Sequence, residues 1–256
     1  MKTYFIILAR NHEYLDDKIN EIEKMGYSYI VVCGEHVNRK NVFYRKPIGK
    51  YDAINYAISL VPSDTDIVIF NDVDTKIYNI ENAFNMINNN ETSLVFVKLV
   101  VNKGPQVILN KFLDKIKNYL LVTASGELIL IKMDVLKTIA PLKPCKSEDT
   151  YIIFKLMENK HKINFCNSTF VITERTTYDK KEELYKRKTV GGIYQALSMT
   201  NPPILIKIFY LLLPYISPLL LVSGRKGYYA MKGILLGYVD HIRGDKTGLW
   251  NTDYMK

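Results

Sequence analysis

The residues best placed to do chemistry lie in "DIVIFNDVDTKIY", 66–78, where four apolar residues, Ile67 to Phe70, run into Asn71-Asp72-Val73-Asp74-Thr75. In a continuing strand, residues i and i+2 point to the same side. Asp72 and Asp74 would then repel unless a cation lay between them. Carboxylate oxygens completed by phosphate oxygens and water hold Mg²⁺ or Mn²⁺ beside a nucleotide. Ligands of open α/β sheets bind beyond the carboxyl ends of the strands, which is where these aspartates fall. An acid-x-acid pair is a weak signal alone. Asp64-Thr65-Asp66 is another, read as a turn before the strand, and a capping turn is the plain alternative for Asp72 and Asp74.

A second acidic pair opens "SEDTYIIFKLMENK", 147–160. Ser147 suits an N-cap, and Glu148 and Asp149 fall in the first helical turn. Complementing the helix dipole is their ordinary reading, and general-base work the chemical one. Other chemistries find little support. Gly49-Lys50 is followed by Tyr51, so there is no phosphate-binding G-x-x-x-x-G-K-[ST] loop, and no G-x-G-x-x-G. The four histidines, His12, His36, His161 and His241, form no H-E-x-x-H, so zinc is not expected. No G-x-S-x-G elbow occurs. Cys33, Cys145 and Cys166 are far apart and odd in number, as expected of free thiols in a reducing compartment.

The elements that must position these residues alternate. Strands are expected at 3–9, 27–33, 66–70 and 93–101, and helices at 12–26, 51–61 and 80–89. Leu15, Ile19, Ile22 and Met25 take helical spacing, with Gly26 closing the first helix. Continuous apolar strands alternating with helices indicate an α/β domain with a largely parallel sheet. Further on, a helix over 112–121, a strand leading into a short helix over 126–136, a helix over 147–160 and a strand or hairpin over 162–173 are expected. A basic stretch (180–188), an apolar run (203–222) broken by Pro214 and Pro218, and a last helix at about 228–243 complete the chain. With 256 residues, 48% of them hydrophobic, the chain can bury one large core with an appendage. "MKTYFIILARN" is too short in its apolar run for a signal peptide and reads as the first strand.

Net charge is +9. Residues 180–256 hold 12 Lys/Arg against 5 Asp/Glu, and residues 1–179 hold 23 against 21. Basic character thus coincides with the longest apolar run, which favours an anionic membrane surface over nucleic acid. No nucleic-acid module signature is present.

Several segments in this order resemble a family 2 glycosyltransferase with the GT-A fold. "IGKYDAINYAI" resembles that family's G-K-x-x-A-L-N segment through Gly49, Lys50, Ala53 and Asn55, and "FNDVDT" its D-x-D. "SGELILIKMDVL" resembles the acceptor-side segment, with Gly126 and Glu127. "SEDTYIIFKLMENKHKINF" resembles the E-D-x-x-L segment, with Glu148 and Asp149 at the acidic pair. "YKRKTVGGIYQ" is similar to the basic Q-R-x-R-W-x-x-G-x-x-Q element, and "KGILLGYVDHIRGDKTGLW" to the tail of membrane-associated members. The chain departs from the pattern at Val32-Cys33-Gly34-Glu35, where the family has V-D-D-G-S, at Leu8-Ala9-Arg10-Asn11 in place of P-T-Y-N, and at Thr189 in place of the tryptophan.

The resemblance implies a GT-A domain over 1–200, with a nucleotide-sugar half (1–100) and an acceptor half (101–200), and a membrane-associated helical segment over 201–256. It implies inverting transfer of a sugar from a nucleoside diphosphate sugar to a lipid-linked or glycan acceptor. Mn²⁺ or Mg²⁺ would be held by Asp74 with Asp72, and Asp149 would be the general base, with Glu148 the alternative. Ala9, Asn11, Glu35, Lys50, Asn55, Asp72, Arg187 and Lys188 would line the donor, with Lys186 adding to the basic clamp. Two other readings stay open. One is a non-catalytic sugar-nucleotide or membrane-surface binding protein of the same fold. The other is a sugar-1-phosphate nucleotidyltransferase, expected to carry a glycine-rich loop where this chain has "ILARNHEY". Ile204 to Val222, 19 residues with Lys207 as the one charge, approaches the roughly 20 needed to span a bilayer. The prolines favour a re-entrant or in-plane hairpin on the cytoplasmic face of the membrane, with tyrosines 210, 215, 228 and 229 at the headgroups; a buried hairpin is the plain alternative.

Overall fold

The computed structural model describes residues 1–101, 114–115, 117, 121, 126–173 and 179–244. The helix expected over 112–121 and the tail beyond 244 lie outside, or almost wholly outside, the described residues. The chain divides into two compact units, the first being Met1–Val100, Ala124–Lys143 and His161–Glu174. The described part of the second is 144–160 and 179–244, with Val101 and four isolated residues before 124.

The first unit is built on an eight-stranded sheet in the order β3-β2-β1-β4-β7-β6-β8-β5. Its strands are β1 (Thr3–Ala9), β2 (Ser28–Cys33), β3 (Val42–Tyr44), β4 (Ile67–Asp72), β5 (Thr75–Tyr78), β6 (Thr92–Val101), β7 (Leu128–Lys132) and β8 (Lys162–Thr173). β3, β2, β1 and β4 are mutually parallel, while β7 joins β4 and β6 antiparallel and β5 joins β8 antiparallel. The apolar runs explain the parallel half. Phe5 to Ala9, Tyr29 to Cys33 and Ile67 to Phe70 are buried on both faces, as strands covered by helices on either side must be. The helices are α1 (Leu15–Lys24), α2 (Lys50–Leu60), α3 (Ile80–Ile87) and α4 (Met133–Ile139). Leu15, Ile19 and Ile22 form the buried stripe of α1, Asp16 and Asp17 suit its N-terminal end, and Gly26 follows it at φ 78. Two short strands, β3 and β5, were not expected from the pattern. Each has four residues or fewer, too few for a period of two to register.

The second unit is helical: α5 (Glu148–Glu158), α6 (Asp179–Met199), α7 (Ile204–Ile216), a 3-10 turn (Ser217–Ser223) and α8 (Arg225–Ile242). The basic stretch is the first half of the 21-residue α6, not a separate segment. α6 and α8 meet backbone to backbone. A Cβ at Gly237 would lie 2.6 Å from the Arg187 carbonyl oxygen and 2.9 Å from the Gly191 nitrogen, and one at Gly233 would lie 2.5 Å from the Glu183 carbonyl oxygen. Only glycine permits that approach. Flanking ion pairs set the register: Arg187 grips Asp240 with two bonds of 2.5 and 2.8 Å, and Lys232 meets Glu183 at 3.0 Å.

α7 is two-sided. Ile206, Tyr210 and Pro214, spaced by four, are buried. The Tyr210 carbonyl accepts from the Tyr194 hydroxyl at 2.6 Å, and its ring meets Phe154 edge-on. Tyr210 is therefore a core residue of this unit, unlike its expected place at a headgroup interface. Tyr215, at 75% exposed, and Tyr228 lie on the surface. The other side of α7 and the 3-10 turn expose Leu205, Leu211, Leu219 and Val222, the last at 92%. Ile204–Ser223 is, by length and composition, the one candidate membrane span among the described residues.

All three thiols are free and buried, and burial pushes that of Cys145 up to about 12. Gly237→Ala should destabilise the protein by about 1–3 kcal/mol, the usual cost of overpacking a tight contact. Urea denaturation followed by far-UV circular dichroism measures it, and an unchanged midpoint would mean the helices separate without loss.

Candidate active site

In the first unit, register gathers the expected donor residues. Leu8 of β1 lies beside Asp72 of β4, and Ala9 beside Cys33 of β2, so three parallel strands end together. That is the edge where α/β sheets take ligands. Gly34 is forced here, since a Cβ would lie 2.4 Å from the Arg10 carbonyl oxygen. Immediately beyond, Glu35 accepts from the backbone N–H of His12 at 3.2 Å and meets His12 Nδ1 at 2.6 Å. These contacts hold the exposed Glu35 carboxyl below the usual carboxylate range. Asn11 caps the same loop, its Oδ1 accepting from Glu13 N–H.

The two aspartates are not on one face of a strand. β4 ends at Asp72, and Val73 and Asp74 form a turn before β5. The cause is Thr75, whose hydroxyl donates back to the Asp72 carbonyl at 2.9 Å and closes the turn. Asn71 braces it from below, its amide donating to Thr75 Oγ1 at 3.0 Å and to the Glu127 carbonyl at 2.7 Å. The Asp72 N–H donates to that same carbonyl at 3.1 Å. The Gly126-Glu127 turn, expected on the acceptor side, thus lies directly against the D-x-D. Lys50, the first residue of α2, donates to Asp72 Oδ1 at 2.9 Å. Asn55 serves the scaffold. Its amide donates to the Leu142 carbonyl and accepts from the Leu142 N–H, at 2.9 and 2.7 Å.

Among the described residues no group of three His, Cys, Asp or Glu side chains could enclose a metal. A pair of carboxylates at a turn fits a hard divalent ion that takes its remaining oxygens from phosphates and water, and does not fit a closed protein cage. Lys50 already neutralises part of Asp72.

In the second unit, Asp149 sits in the first turn of α5. Its Oδ1 accepts from the Thr150 N–H at 2.7 Å and the Ser147 hydroxyl at 2.9 Å. Among the described residues Oδ2 takes no hydrogen bond, so one oxygen is anchored and the other left for a proton. Glu148 is buried beside it. α6 supports this corner: Gly192 lets Ser147 approach to where a Cβ would be 2.8 Å away, and Gln195 Oε1 accepts from the Lys146 N–H at 3.0 Å. The Gly and Gln of the expected basic element therefore brace the loop before Asp149. Arg187, expected on the diphosphate, is engaged by Asp240, and Lys188 is half-buried on the same helix. Sequence reasoning missed Lys18, Asn71, Thr75 and Thr150. Lys18 alone left a signal, a lysine at a position on the apolar stripe of α1.

No family model and no curated protein matches the chain. Solved structures do. A mannosyltransferase from Pyrobaculum calidifontis, PcManGT, in complex with GDP-Man and Mn²⁺, superposes with a TM-score of 0.72 at 11% identity, over 94% of this chain and 87% of that one. Residues 1–349 of TarS from S. aureus superpose at 0.57 with 13% identity, over 95% and 92%. At such identities the likeness is one of fold, and the fold is that of the GT-A glycosyltransferases.

Proposed function

We propose that the protein transfers a sugar from a nucleoside diphosphate sugar to an acceptor hydroxyl, with inversion at the anomeric carbon. The observation that carries this reading is the braced D-x-D turn at the carboxyl edge of four parallel strands in a GT-A fold. PcManGT, on the same fold, holds GDP-Man and Mn²⁺. A divalent ion on Asp74, with Asp72, would supply preorganised positive charge to the leaving diphosphate. Lys50 lies where its ammonium can pass from Asp72 to a phosphate oxygen. Glu35, with His12, meets the nucleobase beyond β2. Asp149, held through Oδ1, takes the acceptor proton on Oδ2 as the hydroxyl oxygen attacks.

Thermal denaturation against a panel of nucleotide sugars should show stabilisation by one nucleotide class only when Mn²⁺ or Mg²⁺ is present, because a ligand bound to the native state alone raises stability. Asp74→Asn should abolish that shift and the transfer activity with it. Full activity in limiting metal would remove Asp74 from the site. Asp149→Asn should leave the shift in place but lower turnover on a hydroxyl acceptor by about 10²–10⁴, the scale of a general base. An unchanged rate would refute its role.

We further propose that α7 and the following turn lie in the plane of a membrane, on its cytoplasmic face, where a lipid-linked acceptor is reached by lateral diffusion. α7 buries Ile206, Tyr210 and Pro214 against its own unit, so only its outward side, with Leu205, Leu211 and Leu212, is left to meet lipid. Arg225 and Lys226 follow directly at the start of α8, positioned for anionic headgroups. The protein should float with anionic liposomes, and Leu211→Glu with Leu219→Glu and Val222→Glu should release it while leaving its circular dichroism intact. A wild-type chain that stays with the soluble fraction would refute this placement.

A further inference from the structure

Lys18 is a cation in the wrong place for a surface helix. It lies on the buried stripe of α1 and is 2% exposed. Burial pushes its ammonium below the ordinary lysine range, so holding a charge there has a cost that a methionine of similar length would not incur. Its Nζ donates to Glu21 Oε2 at 2.6 Å, to the carbonyl oxygen of Thr75, and more distantly to Thr75 Oγ1 at 3.4 Å. Glu21 uses its second oxygen to accept from the Ile77 N–H at 2.8 Å. One helical turn of α1 therefore grips both Thr75 and Ile77, the first and third residues of β5.

The consequence falls on the two aspartates. The turn Asp72-Val73-Asp74-Thr75 is pinned at its first residue, where the Asp72 N–H reaches the Glu127 carbonyl, and closed by Thr75 Oγ1. At its far end it is pinned by Lys18. We propose that Lys18 is a positioning residue for the D-x-D turn: with Glu21 it fixes the backbone after Asp74, and so fixes where that carboxylate stands relative to Asp72. The inference rests on the metal reading of the turn given above.

Lys18 could act on a bound metal in two opposed ways. Its charge would repel a cation, and removing it would then tighten binding. Its bonds hold the ligand in place, and removing them would weaken binding. Glu21, at 2.6 Å, cancels most of the ammonium's field at a distance, so the positioning effect prevails. Loss of groups that orient metal ligands typically costs about 10–100-fold in affinity.

The test is Mn²⁺ binding by electron paramagnetic resonance, with the metal alone and with GDP or UDP, scaled to the folded fraction. Asp74→Asn serves as the site control. Lys18→Met should raise the Mn²⁺ dissociation constant about 10–100-fold, and in metal-free protein it should speed amide exchange over 71–77. Thr75→Val, which keeps the Lys18–Glu21 pair but removes the shared hydroxyl, should weaken Mn²⁺ in the same direction. Lys18→Met binding within twofold of wild type, or tighter, overturns the inference while leaving the metal reading intact. If Lys18→Met does not fold, Mn²⁺ affinity within twofold of wild type in Glu21→Ala, which removes the partner of Lys18 and the grip on Ile77, overturns it. Wild-type protein that binds no Mn²⁺, or binds it equally after Asp74→Asn, overturns the metal reading and this inference with it.

Discussion

The parallel register of β1, β2 and β4 is the constraint on which the first unit depends. Because all three run the same way, their carboxyl ends coincide, and Ala9, Cys33 and Asp72 arrive at one edge. Shifting one strand by a single residue would turn its side chains to the other face and carry Asp72 away from Lys50. The register is secured by burial on both faces: Phe5, Ile7, Val31 and Ile69 on one, and Ile6, Ile30 and Val68 on the other, have almost no surface left to expose. Polar residues contribute at the strand ends, where Asn71, Asp72 and Thr75 shape a turn whose position the apolar runs have already determined.

The second unit obtains its rigidity differently. Its described helices are joined by no ladder of strands, so close approach does the work. Glycines 233 and 237 let α8 rest on the backbone of α6, and Gly192 lets α6 rest on Ser147. Ser147 in turn holds Asp149. A chain of contacts thus runs from α8 through α6 to a single carboxylate oxygen, each link depending on a missing side chain or on a hydroxyl. The bidentate Arg187–Asp240 pair belongs to that chain of contacts. It shows why a basic run cannot be assigned to a ligand from its charge alone: the partner lies 53 residues away in sequence.

What could be read in advance follows from how far each determinant reaches along the chain. The strands of the parallel half and helices α1, α2 and α5 were legible because periodicity and helix-end chemistry are local. The D-x-D was legible as an edge feature, but its geometry was not. The same-side argument assumes an extended backbone, and a threonine hydroxyl closes a turn instead. Asn55 read as part of a nucleotide motif, whereas its amide is matched to the backbone of Leu142, 87 residues on. Tyr210 and Tyr215 are five residues apart in one apolar run, and only the packing of α7 separates core from surface. Lys18 on the apolar stripe of α1 has its reason in Thr75, 57 residues on, which no local pattern reports.

The two-sidedness of α7 bears on how the protein can be handled. Anchors of many membrane enzymes are detachable, so a soluble fragment is made by cutting the chain before them. Here the cut would remove Ile206 and Tyr210 from the interior and leave the Tyr194 hydroxyl and the Phe154 ring facing a void. It would also remove α8, on which α6 rests. The greasy surface and the fold share one helix, and they can be separated by recolouring its outer side residue by residue but not by truncation.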